Sequence, residues 1–85
     1  MVRVEVCPLN DPLLKERTLT ENVSAHGVRV LLPRMLQPFQ EAMVTSSIEG
    51  VRAPARVVYC QRVGENKFAI GLEFSTRVDS WSKPY

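Results

Sequence analysis

The sequence has little of what most catalytic or metal-binding proteins rely on. It holds one histidine, His26, and two cysteines, Cys7 and Cys60, which lie far apart and form no CxxC pair. A zinc site is therefore unsupported, and two buried thiols are the simpler reading. No nucleophile with a recognisable base, no cluster of acids and histidines at metal spacing and no phosphate loop is present, and His26 beside Ser24 is not a triad. An enzyme is thus the least supported class. No apolar run approaches the roughly 20 residues that a membrane-spanning helix needs. The first residues alternate valine with Arg3 and Glu5 instead of forming a signal peptide, so the chain is expected to be soluble and cytoplasmic. Charge of one sign is also scarce. The 11 Lys and Arg exceed the 9 Asp and Glu by only +2, too little to define a nucleic-acid surface, although a small anionic ligand stays allowed.

What is present is a run of short extended segments. The 85 residues suffice for one domain and not for two, and the 45% hydrophobic and 24% charged fractions match a globular fold. Val2, Val4 and Val6 alternate with Arg3, Glu5 and Cys7, the two-residue period of a strand with one buried face. Pro8 to Pro12 break it, and the polar, threonine-containing run Lys15 to Val23 reads as a second strand. Ser24 to Gly27 must turn. Gly27 then opens a third strand to Leu32, with Val28, Val30 and Leu32 inward and Arg29 facing solvent or a ligand.

Pro33 ends that strand, and Leu36, Pro38 and Phe39 read as a compact apolar connection. A fourth strand is expected from Ala42 to Ile48, with a helix over Pro38 to Val44 as the competing reading. Glu49-Gly50 reads as a turn, and Pro54 stands near the start of a fifth strand from Ala55 to Val63, with Val57 and Tyr59 on one face. Gly64-Glu65-Asn66 closes a hairpin into the sixth, where Phe68, Ile70, Leu72 and Phe74 share one face and Ala69, Gly71 and Glu73 the other. Six short strands without a long helical pattern predict an all-β fold, a small six-stranded antiparallel β-barrel with room for one short helix or helical turn. Closure removes the edges that a flat sheet would expose. Residues 1–75 form this single domain, and residues 76–85, with Trp81, a C-terminal tail.

One connection carries candidate chemistry. In Asn22-x-Ser24-x-x-Gly27 the amide offers a donor and an acceptor, the serine a hydroxyl, and the glycine lets a ligand reach the backbone without a Cβ in the way. The same residues also make a plain turn, in which Asn and Ser bond nearby backbone groups and Gly supplies a positive φ. His26 could stack on a base or titrate, or do nothing. Arg17 and Arg29 flank the motif on neighbouring strands and could reach a phosphate, or be two solvated charges.

This arrangement resembles the PilZ family, whose members carry a D/N-x-S-x-x-G motif between the second and third strands of a six-stranded barrel. Thr18 to Val30 looks like that region, Ala55-Arg-Val-Val-Tyr59 like a later strand, and Phe68-Ala-Ile-Gly-Leu-Glu-Phe74 like the family's terminal strand. The resemblance implies a bacterial receptor for the second messenger cyclic di-GMP, linked to motility, exopolysaccharide and biofilm control. Asn22, Ser24 and Gly27 would be its base-side contacts. The family's RxxxR motif, which grips the phosphates, has no counterpart before the first strand, where only Arg3 lies ahead. The pattern recurs at Arg52-Ala-Pro-Ala-Arg56, after the motif and on what should be the wrong side of the fold, and is read as a chance match. The expected function is therefore cyclic di-GMP binding, weak or lost. The alternative is a degenerate PilZ domain that serves as a protein-interaction scaffold for a signalling or motility partner. A small nucleic-acid-binding barrel ranks below both, since Phe68 and Phe74 follow the core alternation.

Overall fold

The computed structural model describes residues 2–46, 50–76 and 78. Six strands form, β1 Arg3–Pro8, β2 Glu16–Val23, β3 Gly27–Leu32, β4 Glu41–Ser46, β5 Val51–Gly64 and β6 Lys67–Phe74. They close in the order β1-β2-β3-β6-β5-β4, and every neighbouring pair is antiparallel. The expected six-stranded antiparallel barrel is thus observed. A 3-10 turn, Pro12–Leu14, joins β1 to β2, started by the Asp11 carboxylate accepting from the Leu13 N–H at 3.3 Å.

The alternating valines explain the interior. Val4 and Val6 of β1, Val28, Val30 and Leu32 of β3, Val44 of β4 and Ile70, Leu72 and Phe74 of β6 all bury their side chains in one core. β-branched residues suit this role because their restricted χ1 fits the pleated surface. Full burial of a Val, Leu, Ile or Phe side chain contributes roughly 1.5–3 kcal/mol, which is how so small a barrel holds together. Beyond β6, Val78 packs against this core and its N–H donates to the Ala25 carbonyl at 2.7 Å.

Several expectations need correction. β5 begins at Val51, four residues before Ala55, so Pro54 lies inside it. The strand tolerates this because the last residue of β6, Phe74, pairs with Ala55, which leaves Pro54 a strand partner, Met43, on one side only. The helix weighed for residues 38–44 does not form, and Glu41–Ser46 is strand. In the connection before it, Leu36 is buried, but Phe39 is 72% exposed at φ 67. Val57 and Tyr59 do not share a face. The register slips between them, from Val57 opposite Leu72 to Tyr59 opposite Gly71, so that Val58 is bulged; Val57 is 0% exposed and Tyr59 39%. Cys7 and Cys60 are half-buried rather than buried and form no disulfide. Ile48, Glu49 and Trp81 lie outside the described residues.

Candidate functional site

The Asn22 to Gly27 connection is built by its own side chains. The Ser24 N–H donates to the Gly27 carbonyl at 2.9 Å, and the Ser24 Oγ accepts from the N–H groups of His26 and Gly27 at 3.2 and 3.3 Å. The Ser24 hydroxyl also donates to the Gly27 carbonyl at 3.5 Å. The serine therefore braces the turn, as the plain-turn reading expects. The His26 carbonyl accepts from the Phe74 N–H at 2.8 Å, while the His26 side chain is exposed. Gly27 plays a different part from the one expected. Its φ is not positive, and the space a Cβ would take is already filled by the Leu72 carbonyl oxygen of β6. Close strand approach, not a left-handed turn, demands glycine here.

Asn22 owes its position to a second bulge. The β2–β3 register slips between Thr20 opposite Val30 and Asn22 opposite Arg29, so Glu21 is the extra residue, and Glu21 and Asn22 are both exposed. The Arg29 Nε donates to the Glu21 carboxylate at 2.9 Å, and its Nη1 donates to the Tyr59 hydroxyl at 3.4 Å. The Arg29 guanidinium carbon also lies 5.9 Å from the Tyr59 ring centroid, within cation–π range. The hydrogen bond that Arg29 donates to Glu21, followed by the electrostatic influence of Tyr59, raises the Arg29 pKa further above its ordinary value. The Tyr59 ring in turn covers Gly71, where any Cβ would strike it.

The sequence-predicted residues thus fall into two groups. Asn22, Ser24, His26, Gly27 and Arg29 sit together around the β2–β3 connection. Arg17 and Arg3 are displaced along β2 and β1: Arg17 precedes Asn22 by five residues, about 16 Å of strand. Arg17 is 84% exposed and pairs with Glu5 at 3.5 Å, and it lines a cleft of about 350 Å³ with Arg3, Val4, Glu5 and Thr45. Arg29, expected to face solvent or a ligand, faces outward and is already engaged by Glu21 and Tyr59.

Arg56 also needs correction, because it is not on the wrong side of the fold. Gly27 is opposite Glu73, and Glu73 is opposite Arg56, so Arg56 stands two strands from the motif on the same outer surface. It pairs with Glu73 at 3.5 Å and lies 5.9 Å from the Phe39 ring centroid. Sequence reasoning did not assign Glu21 or Tyr59 to the site. The available signal was a change in the inward-facing positions, from Thr20 to Val23 and from Val57 to Cys60, each of which skips one residue of the period.

Among the described residues no group of three His, Cys, Asp or Glu could hold a metal, and no helix is long and apolar enough to cross a membrane. Neither the curated proteins nor the solved structures give a match. The family model described as PilZ domain matches residues 2–82, and the chain belongs to the PilZ domain family of binding and signalling modules.

Proposed function

We propose that this barrel is a low-affinity receptor for cyclic di-GMP that reads a guanine base through Asn22 and the Ser24 to Gly27 turn. The observation that carries this reading is the braced β2–β3 connection, which leaves the Asn22 amide exposed beside the Arg29 cation. An exposed amide offers a donor and an acceptor to a base edge, and a guanidinium suits both a phosphate and a purine face. Ser24 and Gly27 hold the turn in shape. His26, exposed in that turn, is a candidate stacking partner for a base.

Weak affinity follows from charge. Two phosphate-gripping arginines of the RxxxR kind contribute roughly 1.5–3 kcal/mol each, so a barrel that binds without them does so several orders of magnitude more weakly. Arg29 is the cation best placed to compensate in part, with Arg17 and Arg3 farther along the barrel. A receptor for this messenger works in the bacterial cytoplasm.

Isothermal titration with cyclic di-GMP tests the proposal against an Asn22→Ala, Ser24→Ala double variant. The expected result is binding by the native chain that the double variant abolishes. No heat at high ligand concentration would overturn it.

The second reading, a PilZ scaffold that binds a signalling protein without nucleotide, is favoured by one feature. Phe39, Leu9, Asn10, Gln40 and Glu41 line a groove, and Phe39 presents its ring outward from a left-handed backbone. A bulky residue at positive φ is strained, and strained residues cluster at functional sites. Loss of partner binding in a Phe39→Ser variant, with nucleotide binding absent throughout, would select the scaffold.

A further inference from the structure

The pairing registers align four residues across the outer face. Asn22 of β2 is opposite Arg29 of β3, Arg29 is opposite Gly71 of β6, and Gly71 is opposite Tyr59 of β5. Three strand spacings make this row about 14 Å long. Both bulges serve it. One brings Asn22 into line with Arg29, and the other turns Tyr59 outward onto the bare backbone of Gly71. An amide, a guanidinium and an aromatic ring in one row are the three groups that read a base edge, hold an anion and stack on a base.

The row is presently occupied by the protein's own groups. Glu21 takes the Arg29 Nε, and the Tyr59 hydroxyl takes Nη1. We propose that Tyr59 and Arg29 form the stacking and anion-binding half of a guanine-nucleotide site, and that the Glu21 carboxylate is a latch on Arg29 which the ligand's phosphate must displace. This rests on the receptor reading above and assigns the phosphate-side contact that the chain's missing RxxxR leaves open. Glu21 and Arg29 are about 40% exposed, with side-chain values of 41% and 40%, so the latch can swing into water without burying a charge. Its strength is that of a surface ion pair, weak enough for a phosphate to compete.

Titration of cyclic di-GMP into the native chain, Glu21→Gln, Tyr59→Leu and Tyr59→Phe tests the proposal, with the Asn22→Ala, Ser24→Ala variant as the control for the reading beneath it. Glu21→Gln should bind about fivefold tighter at low salt, a gain that shrinks as ionic strength rises. Tyr59→Leu should bind about tenfold weaker, because a stacking face is lost. Tyr59→Phe keeps the ring and loses one long hydrogen bond, so its affinity should fall only about twofold. If the double variant loses binding while Glu21→Gln and Tyr59→Leu both stay within twofold of the native chain, the receptor stands and the latch is wrong. Silence from both the native chain and Glu21→Gln removes the receptor and the latch together. Binding by Glu21→Gln where the native chain shows none supports the latch and overturns the receptor reading for the native chain. Should Tyr59→Leu fail to fold, by circular dichroism, the Glu21→Gln comparison decides the latch alone.

Discussion

At Gly27 an added methyl would meet the Leu72 carbonyl oxygen, which belongs to backbone held in the β3–β6 ladder and cannot move aside. At Gly71 it would meet the Tyr59 ring, which can swing away on its χ angles. The two glycines should therefore respond differently to alanine. Gly27→Ala should lower stability by about 1–3 kcal/mol, a fall in melting temperature of roughly 4–8 °C per kcal/mol for a domain of this size. Gly71→Ala should lower it less, and a Tyr59→Ala background should remove most of that loss, a coupling that a double-mutant cycle measures directly. An equal loss from Gly71→Ala in both backgrounds would show that the ring is not the obstacle. The motif itself was legible in the sequence, because Asn22, Ser24 and Gly27 are the residue types a turn or a base contact needs. The reason for Gly27 was not, since the obstructing oxygen lies 45 positions away in the chain. Phe39 departs from its expected place for a related reason: an apolar side chain directly after Pro38 looks like part of a compact apolar connection until the backbone direction is known.

The elements show why alternation is a sound guide to some strands and misleads in others. β3 and β6 keep an unbroken register along their full pairing from Gly27–Glu73 to Leu32–Phe68, and the inward set expected from the period, Val28, Val30, Leu32, Phe68, Ile70, Leu72 and Phe74, is the set observed, with Phe68 only partly buried against the core. β5 carries an extra residue at Val58, so positions from Tyr59 to Arg62 reverse face, and a strict period sends Tyr59 to the wrong side. A bulge is a property of two paired strands, so a single segment shows it only as adjacent apolar residues such as Val57 and Val58. This makes deletion a test. Removing Val58 leaves Val57 inward, Tyr59 outward and Cys60 inward in a regular ladder, and the protein should still fold and melt cooperatively. Removing Ala69 from the regular part of β6 sends either Phe68 or the Ile70, Leu72 and Phe74 set to the opposite face, and should abolish folding. Circular dichroism and thermal melts separate the two outcomes. Equal tolerance of both deletions would contradict the assigned register.

For the whole molecule, the strand count and the need to bury edges pointed to a closed barrel, and closure is what the pairing of β1 with β4 achieves. The order of strands around it was less accessible. The β3-to-β4 connection places β6 beside β3 and β4 beside β1, a long-range choice with no local signal. That choice aligns Asn22, Arg29, Gly71 and Tyr59, and it also sets Arg56 two strands from Gly27. Arg3 and Arg17 remain grouped around Glu5, away from the motif. Cyclic di-GMP is proposed to bind one region of this surface, around the β2–β3 connection. The most direct test of this is an amide and arginine side-chain NMR titration of the chain with the dinucleotide. Fast-exchange shifts concentrated at Asn22, Ser24, His26, Gly27 and Gly71 and at the Arg29 Nε–H, saturating as ligand rises, are the expected result. Shifts confined to the Phe39 and Leu9 groove, or none at high ligand concentration, would contradict it.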